Sequence, residues 1–262
     1  MSTAVFHAGA GVLDDAAPGA TVTLRGDEAR HAAVVMRLRA GERVDLVDGA
    51  GLRVSGTVSA AAKDELTVAV ESRAQELAPA VRLVLVQALA KGGRDEQAVE
   101  TATELGVDAV VPWQAARSVS VWSGPKLERG RQRWSAVALA AAKQSRRSWV
   151  PAVREPVRTS GLAADVAATV AAGGAVLVLH EQAAVPLAAA RLPGPGAADA
   201  DASGASDVVV VVGPEGGITD EEVAALTDAG GQPVLVGPHV LRTSTAGPAA
   251  LAVLAQRLGR WG

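Results

Sequence analysis

The run Val208–Val212 passes directly into Gly213-Pro214-Glu215-Gly216-Gly217, and then into Ile218 and a helical pattern. Ligands of α/β proteins bind beyond the carboxyl ends of strands, so a glycine cluster at such an end is a candidate site. Its three glycines permit positive φ and let a ligand approach the backbone closely, although a tight structural turn uses glycine equally well. Thr219 and Glu222 stand at the spacing of a capping box for the helix that follows. Gly237-Pro238-His239-Val240-Leu241-Arg242-Thr243-Ser244-Thr245 follows the strand-like Pro233–Val236. Aliphatic residues next to a cation and hydroxyls could cradle an amphipathic ligand, with a flat ring between Val240 and Leu241. Thr243 or Ser244 could equally cap the last helix. Leu179-His180-Glu181 is a third strand end, where a lone His is more often structural than catalytic.

Common alternatives are missing. No G-x-G-x-x-G opens a helix after a strand, and there is no G-x-x-x-x-G-K-[ST], G-x-S-x-G or H-E-x-x-H. The chain has no Cys, which excludes disulfides, thiolate zinc sites and cysteine nucleophiles together. His7, His31, His180 and His239 are too scattered to form a metal-binding pair, so no metal is expected.

The elements that must position these loops change character along the chain. Between residues 20 and 72, apolar residues alternate with period two in Val44–Leu46, Leu52–Val58 and Leu66–Val70. Asp48–Gly51 and Lys63–Glu65 suit hairpin connections, and a short helix is expected over Asp27–Met36. This pattern predicts a small β-barrel, with polar Ser72–Ala80 as linker. From Arg82 onward, strand runs alternate with helices. The expected order is strand 82–87, helix 94–105 closed by Gly106, strand 108–112, helix 131–147, strands 175–179 and 208–212, helix 219–229, strand 233–236 and helix 245–258. That alternation predicts an α/β domain on a mainly parallel sheet. Arg191–Asp207, small and polar, reads as a loop insert. Domains are therefore expected at residues 1–76 and 77–262.

With 262 residues, 49% hydrophobic and 20% charged, the composition is globular. No apolar run approaches the roughly 18 residues of a membrane span, and no secretory signal is visible, so a cytoplasmic protein is expected. The net charge of −3 argues against an indiscriminate nucleic-acid binder, but its distribution is uneven. Residues 1–81 carry a net −3, 82–158 a net +6 and 159–262 a net −6. Lys126–Arg158 alone holds nine Lys/Arg against two Glu. Such a run is either a solvated helix face or a surface facing a polyanion; its place in an acidic chain favours the second.

The segments VVGPEGGITDEE (211–222), LVGPHVLRTSTA (235–246) and ELGVDAVVPWQAARS (104–118) together resemble the bacterial 16S ribosomal RNA uracil-N3 methyltransferases. RWSAVALAAAKQSRRSWVP (133–151) fits as well, through Gln144-Ser145-Arg146-Arg147 and Pro151. In the N-terminal part, His31, Val35–Leu38 and the Asp48-Gly49 turn match. The resemblance runs in order across nearly the whole chain. It implies a PUA-like β-barrel that binds RNA, followed by a SPOUT-type methyltransferase domain with a deep C-terminal trefoil knot. Periodicity suggests no knot, because knotted chains are rare.

The resemblance further implies a homodimer acting on a uridine of 16S rRNA or of the small ribosomal subunit, with S-adenosyl-L-methionine as cofactor. Three loops would hold the cofactor: Leu179, His180 and Glu181; Gly213, Pro214, Glu215, Gly216 and Gly217; and Val236, Gly237, Val240, Leu241, Arg242 and Thr243. Lys91, Arg94, Arg117, Arg146 and Arg147 are the expected RNA contacts. Uracil N3 is a poor nucleophile until its proton leaves, so a cation near the carbonyls would help, and Arg242 is the first candidate. Glu215 could accept a proton or complement the sulfonium charge; both residues could also be structural ion pairs. Many relatives carry Glu in R-T-E-T-A where this chain has Ser244, so no carboxylate role carries over there. A non-catalytic RNA-binding or ribosome-assembly protein and a small-molecule α/β transferase are the competing readings. Cofactor affinity tests the first of these, and methyl transfer to RNA the second.

Overall fold

A computed structural model describes residues 3–9, 11–193 and 206–261. The chain forms two compact units, one of Met1–Ala78 with Ala142–Val150, the other of Pro79–Ala141 with Pro151–Gly262. Residues 142–150 thus cluster with the first unit, although a contiguous division at 76/77 assigns them to the second.

The first unit is a five-stranded sheet. Its strands are β1 (Ala4–His7), β2 (Thr21–Arg25), β3 (Arg43–Val47), β4 (Leu52–Ala62) and β5 (Glu65–Gln75). They lie in the order β1-β3-β4-β5-β2. Only the β1–β3 ladder is parallel. Alternation places Val44 and Leu46, Val54 and Val58, and Leu66 and Val68 in one core with Phe6 and Leu24. The expected short helix is α1 (Asp27–Arg30), which runs on as a single wider turn over His31–Val35.

One expectation needs correction here. Residues 72–75 are strand, not linker: the outer half of β5 is exposed and polar, yet it pairs with Leu52–Ser55. The ladder order places β1 and β2 at the two ends of the sheet. Residues 142–150 are fastened by the Lys143–Glu28 ion pair, by the Ser148 hydroxyl donating to Glu76, and by Arg53 Nη2 donating to the Arg146 carbonyl at 3.0 Å.

The second unit is an all-parallel α/β sheet in the order β12-β10-β11-β6-β7-β8, with β9 also pairing β7. Its elements in chain order begin β6 (Val81–Ala88), α2 (Arg94–Glu104), β7 (Ala109–Gln114) and α3 (Pro125–Gln144, whose last three residues belong to the first unit). They continue β8 (Ala152–Val153), β9 (Val157–Arg158), α4 (Thr159–Ala171), β10 (Ala175–Leu179) and β11 (Ser206–Val212). The last are α5 (Asp220–Asp228), β12 (Gln232–Val234) and α6 (Thr243–Arg257).

The apolar runs are continuous because both sheet faces are covered. Leu83, Leu85, Val208, Val210 and Val212 join one core with residues of α2, α3 and α6. Val84, Val86, Val209 and Val211 join the other with Leu162 and Val166 of α4 and Leu226 of α5.

Helix α3 begins at Pro125, six residues before the expected start, because proline suits a first helical turn. It stops at Gln144 rather than Arg147, and Arg146 takes a left-handed conformation (φ 59°) that ends it. Helix α6 starts at Thr243, two residues before the expected start. The insert Arg191–Asp207 lies outside the described residues between 194 and 205. No helix among the described residues is long and apolar enough to cross a membrane.

Candidate functional site

The loops after β10, β11 and β12 line one cavity of about 780 Å³, within the range of small-molecule sites. Leu179, His180, Glu181, Gly213–Gly217, Val236, Gly237, Val240, Leu241, Arg242 and Thr243 all line it. The sequence-derived cofactor set is therefore brought to one place. Gln182, Pro238 and His239 also line it, as do Ile218 and Asp220 at the entry to α5. Loop proximity alone could have suggested these.

The β11 loop is built to stay open. Gly217 has φ 75° and donates its N–H to the Pro214 carbonyl at 2.9 Å, closing a tight turn. A Cβ at Gly213 would stand 2.6 Å from Ile218 Cγ1, so a side chain there displaces the start of α5. The capping box forms as the spacing predicts: Thr219 Oγ1 accepts from the Glu222 N–H and Glu222 Oε2 from the Thr219 N–H, both at 3.2 Å. Glu222 does more than cap. Buried, it accepts through Oε1 from the Ala116 N–H (2.8 Å) and the Thr159 hydroxyl (2.7 Å), binding β7's exit and α4's first turn to α5.

Two arginines expected on RNA hold the β11 loop. Arg117 Nη1 donates to the Gly216 carbonyl at 2.9 Å, and Arg94 Nη1 to Glu215 Oε1 at 2.8 Å. Both line the cavity. Lys91 offers its backbone N–H to Glu215 at 3.3 Å, while its side chain is exposed. Partial burial alone would raise the Glu215 pKa. The backbone N–H groups of Glu215 and Lys91 and the Arg94 guanidinium outweigh it and hold the carboxyl below its ordinary value. A carboxyl held ionised in this way is suited to complementing positive charge in the cavity. Arg146 and Arg147 lie beyond α3's end, in the first unit.

The β12 loop is different. Its Arg242 is exposed, occupies the N-cap of α6 with an extended backbone, and makes no side-chain hydrogen bond or ion pair with any described residue. Neither Thr243 nor Ser244 caps α6. The Thr243 hydroxyl instead donates to the Gly213 carbonyl at 2.7 Å and accepts from Gln87 Nε2 at 2.8 Å. Ser244 is buried and does not line the cavity.

A parallel α/β unit whose strand-end loops build one glycine-lined cavity, in a chain with a five-stranded β unit, defines a two-domain α/β enzyme. Residues 77–255 match the RNA methyltransferase domain family, and residues 24–71 match the RNA methyltransferase PUA domain. The ribosomal RNA small subunit methyltransferase E of Mycobacterium tuberculosis is 44% identical over 93% of this chain and 89% of its own. In structure, the chain is similar to a Legionella pneumophila protein solved with bound SAM (TM-score 0.80, 26% identity, 98% of each chain). It is also similar to the Neisseria gonorrhoeae ribosomal RNA small subunit methyltransferase E bound to S-adenosyl methionine (TM-score 0.78, 25% identity, 98% of each chain). The chain belongs to the RNA methyltransferase family that includes the ribosomal RNA small subunit methyltransferase E proteins.

Proposed function

We propose that this chain transfers a methyl group from S-adenosyl-L-methionine to N3 of a uridine in the 16S RNA of the small ribosomal subunit. The observation that carries the cofactor part is the strand-end cavity. It has room for a nucleoside-sized ligand and three loops, two of which offer backbone at Gly213, Gly216 and Gly237. Carboxylates at Glu181, Glu215 and Asp220 suit a cationic ligand. The residues fit S-adenosylmethionine, which when bound supplies an electrophilic methyl group. In this reading Leu179, His180, Glu181, the Gly213–Gly217 turn, Val236, Gly237, Val240, Leu241 and Thr243 hold it.

Arg242 is assigned to the target base. A cation at a helix N-terminus opposes the helix dipole, so the fold gains nothing from its charge there. With no partner among the described residues, its guanidinium is free to stabilise uracil as N3 loses its proton. Glu215 complements positive charge in the cavity through its field and does not take the proton. Arg94 and Arg117 brace the β11 loop; Lys91, Arg146 and Arg147 are the RNA contacts of this reading.

The parallel order β12-β10-β11, followed by Thr243 meeting Gly213, supports a trefoil-knotted SPOUT arrangement at the C-terminus. A homodimer in the cytoplasm completes the proposal. The test is incubation of the protein and labelled S-adenosylmethionine with small-subunit RNA or particles, followed by mapping of the labelled base. Label at uridine N3 supports the reading, and label on another atom or none removes it.

A further inference from the structure

Gln87 is fully buried near the carboxyl end of β6, in register with Val212 of β11 and Pro112 of β7. An amide among aliphatic neighbours costs stability unless its polar atoms are bonded. Nε2 is well used, donating to the Ala88 carbonyl at 3.1 Å and to Thr243 Oγ1 at 2.8 Å. Oε1 is buried with no partner. A buried amide retained at this cost calls for a reason beyond packing.

The direction of the bonds supplies one. Thr243 has a single hydroxyl proton, and it points at the Gly213 carbonyl 2.7 Å away. Its lone pair is therefore left for Gln87, which can only donate through nitrogen. Gln87, Thr243 and Gly213 form one line of donors running from the central strand, through the first residue of α6, to the first glycine of the β11 loop. Thr243 and Gly213 line the cavity; Gln87 does not.

We infer that Gln87 is a positioning residue for cofactor binding: it fixes the Thr243 hydroxyl so that the β11 loop and the start of α6 are presented to the ligand in one register. The inference rests on the cofactor reading above. Gln87→Met keeps the volume and removes the donor. It should weaken S-adenosylmethionine binding roughly tenfold by calorimetry, with turnover at saturating cofactor nearly unchanged. Thr243→Ser should bind as wild type, Thr243→Val should lose about as much as Gln87→Met, and the double variant should lose no more than Thr243→Val alone. Wild-type affinity in a folded Gln87→Met protein overturns the inference, as do additive losses or a lowered melting temperature with affinity unchanged. Should Gln87→Met not fold, Thr243→Ser against Thr243→Val decides, and equal losses reject the line of bonds. If the wild-type protein bound no S-adenosylmethionine, the cofactor reading would fail. Amide exchange in Gly213–Gly217 would then still report on the line: faster in Gln87→Met if it stands, unchanged if not.

Discussion

Gly213, Glu215, Gly216 and Gly217 each carry a hydrogen bond to another part of the second unit or to their own turn. Across the same cavity, no residue from Val236 to Leu241 makes a hydrogen bond with any described residue, and Val240 is 80% exposed. One wall is finished by the fold; the other waits for whatever fills the cavity. An aliphatic side chain that exposed at a cavity mouth gains from burial only when a ligand covers it. In the proposed reading the β11 loop therefore contributes a preset surface, and the β12 loop closes on the ligand and brings Arg242.

Breaking each wall should have different signatures. The largest effect belongs to the preset side. Gly213→Val drives a side chain into Ile218, so S-adenosylmethionine binding and much of the unit's stability should be lost together, read by calorimetry and thermal unfolding. On the open side, Gly237 has ordinary φ and nothing within 4 Å of a Cβ. Gly237→Val should keep its melting temperature and lose affinity alone; unchanged affinity would remove this loop from the site. Arg242→Ala should lower single-turnover methyl transfer by about 10²–10³ with cofactor affinity nearly intact, and Arg242→Lys should recover only part. Equal losses in binding and turnover would make Arg242 part of the pocket wall.

Smaller in scale, Glu222→Ala leaves the Ala116 and Thr219 N–H groups and the Thr159 hydroxyl proton without this acceptor, and should cost about 3 kcal/mol in denaturant unfolding. A loss below 0.5 kcal/mol would show that these groups find other partners.

The smallest effect is a pH dependence that separates the two units. Glu215 has a depressed folded pKa. Its contribution is complete above the ordinary carboxylate value of 4.5 and fades as pH falls through the lower folded value. The part of cofactor affinity that depends on Glu215 should therefore stay flat from neutrality to about pH 5. In the first unit, burial and then Lys143 lower the His7 pKa below 6.5, against Glu28 and Asp48, which raise it. Its neutral form is favoured by folding, so that stability is present above 6.5 and lost as pH falls toward the folded value. The thermal stability of the first unit should begin to fall as pH drops below 6.5, before the Glu215 part of cavity binding weakens. The reverse order would count against both assignments.

What the sequence made legible follows the strength of each local signal. Strand β10 and the Thr219–Glu222 capping box are read directly, because an apolar run and a fixed polar spacing each depend on few neighbours. Helix α4 was missed: TSGLAADVAATVA buries only Leu162 and Val166, too little to set a helical period. Strands β8 and β9 have two residues each and exist only through pairing with β7. At the candidate site, glycines mark two of the three loops that line the cavity, those after β11 and β12. Charge could not say that Arg94 and Arg117 close on Glu215 and Gly216, because a cation's partner is a tertiary fact. Gln87 gave no signal, being a polar residue in a mostly apolar strand whose use depends on Thr243, 156 positions later.

The central claim, a preset wall facing a wall completed by ligand, is tested most directly by amide exchange with and without S-adenosylmethionine. The expected result is protection of the Gly217 N–H, which donates to the Pro214 carbonyl, in both states, with Val236–Leu241 protected only when the cofactor is present. Equal protection of the two loops in the free protein, or no gain in Val236–Leu241 on saturation, would contradict it.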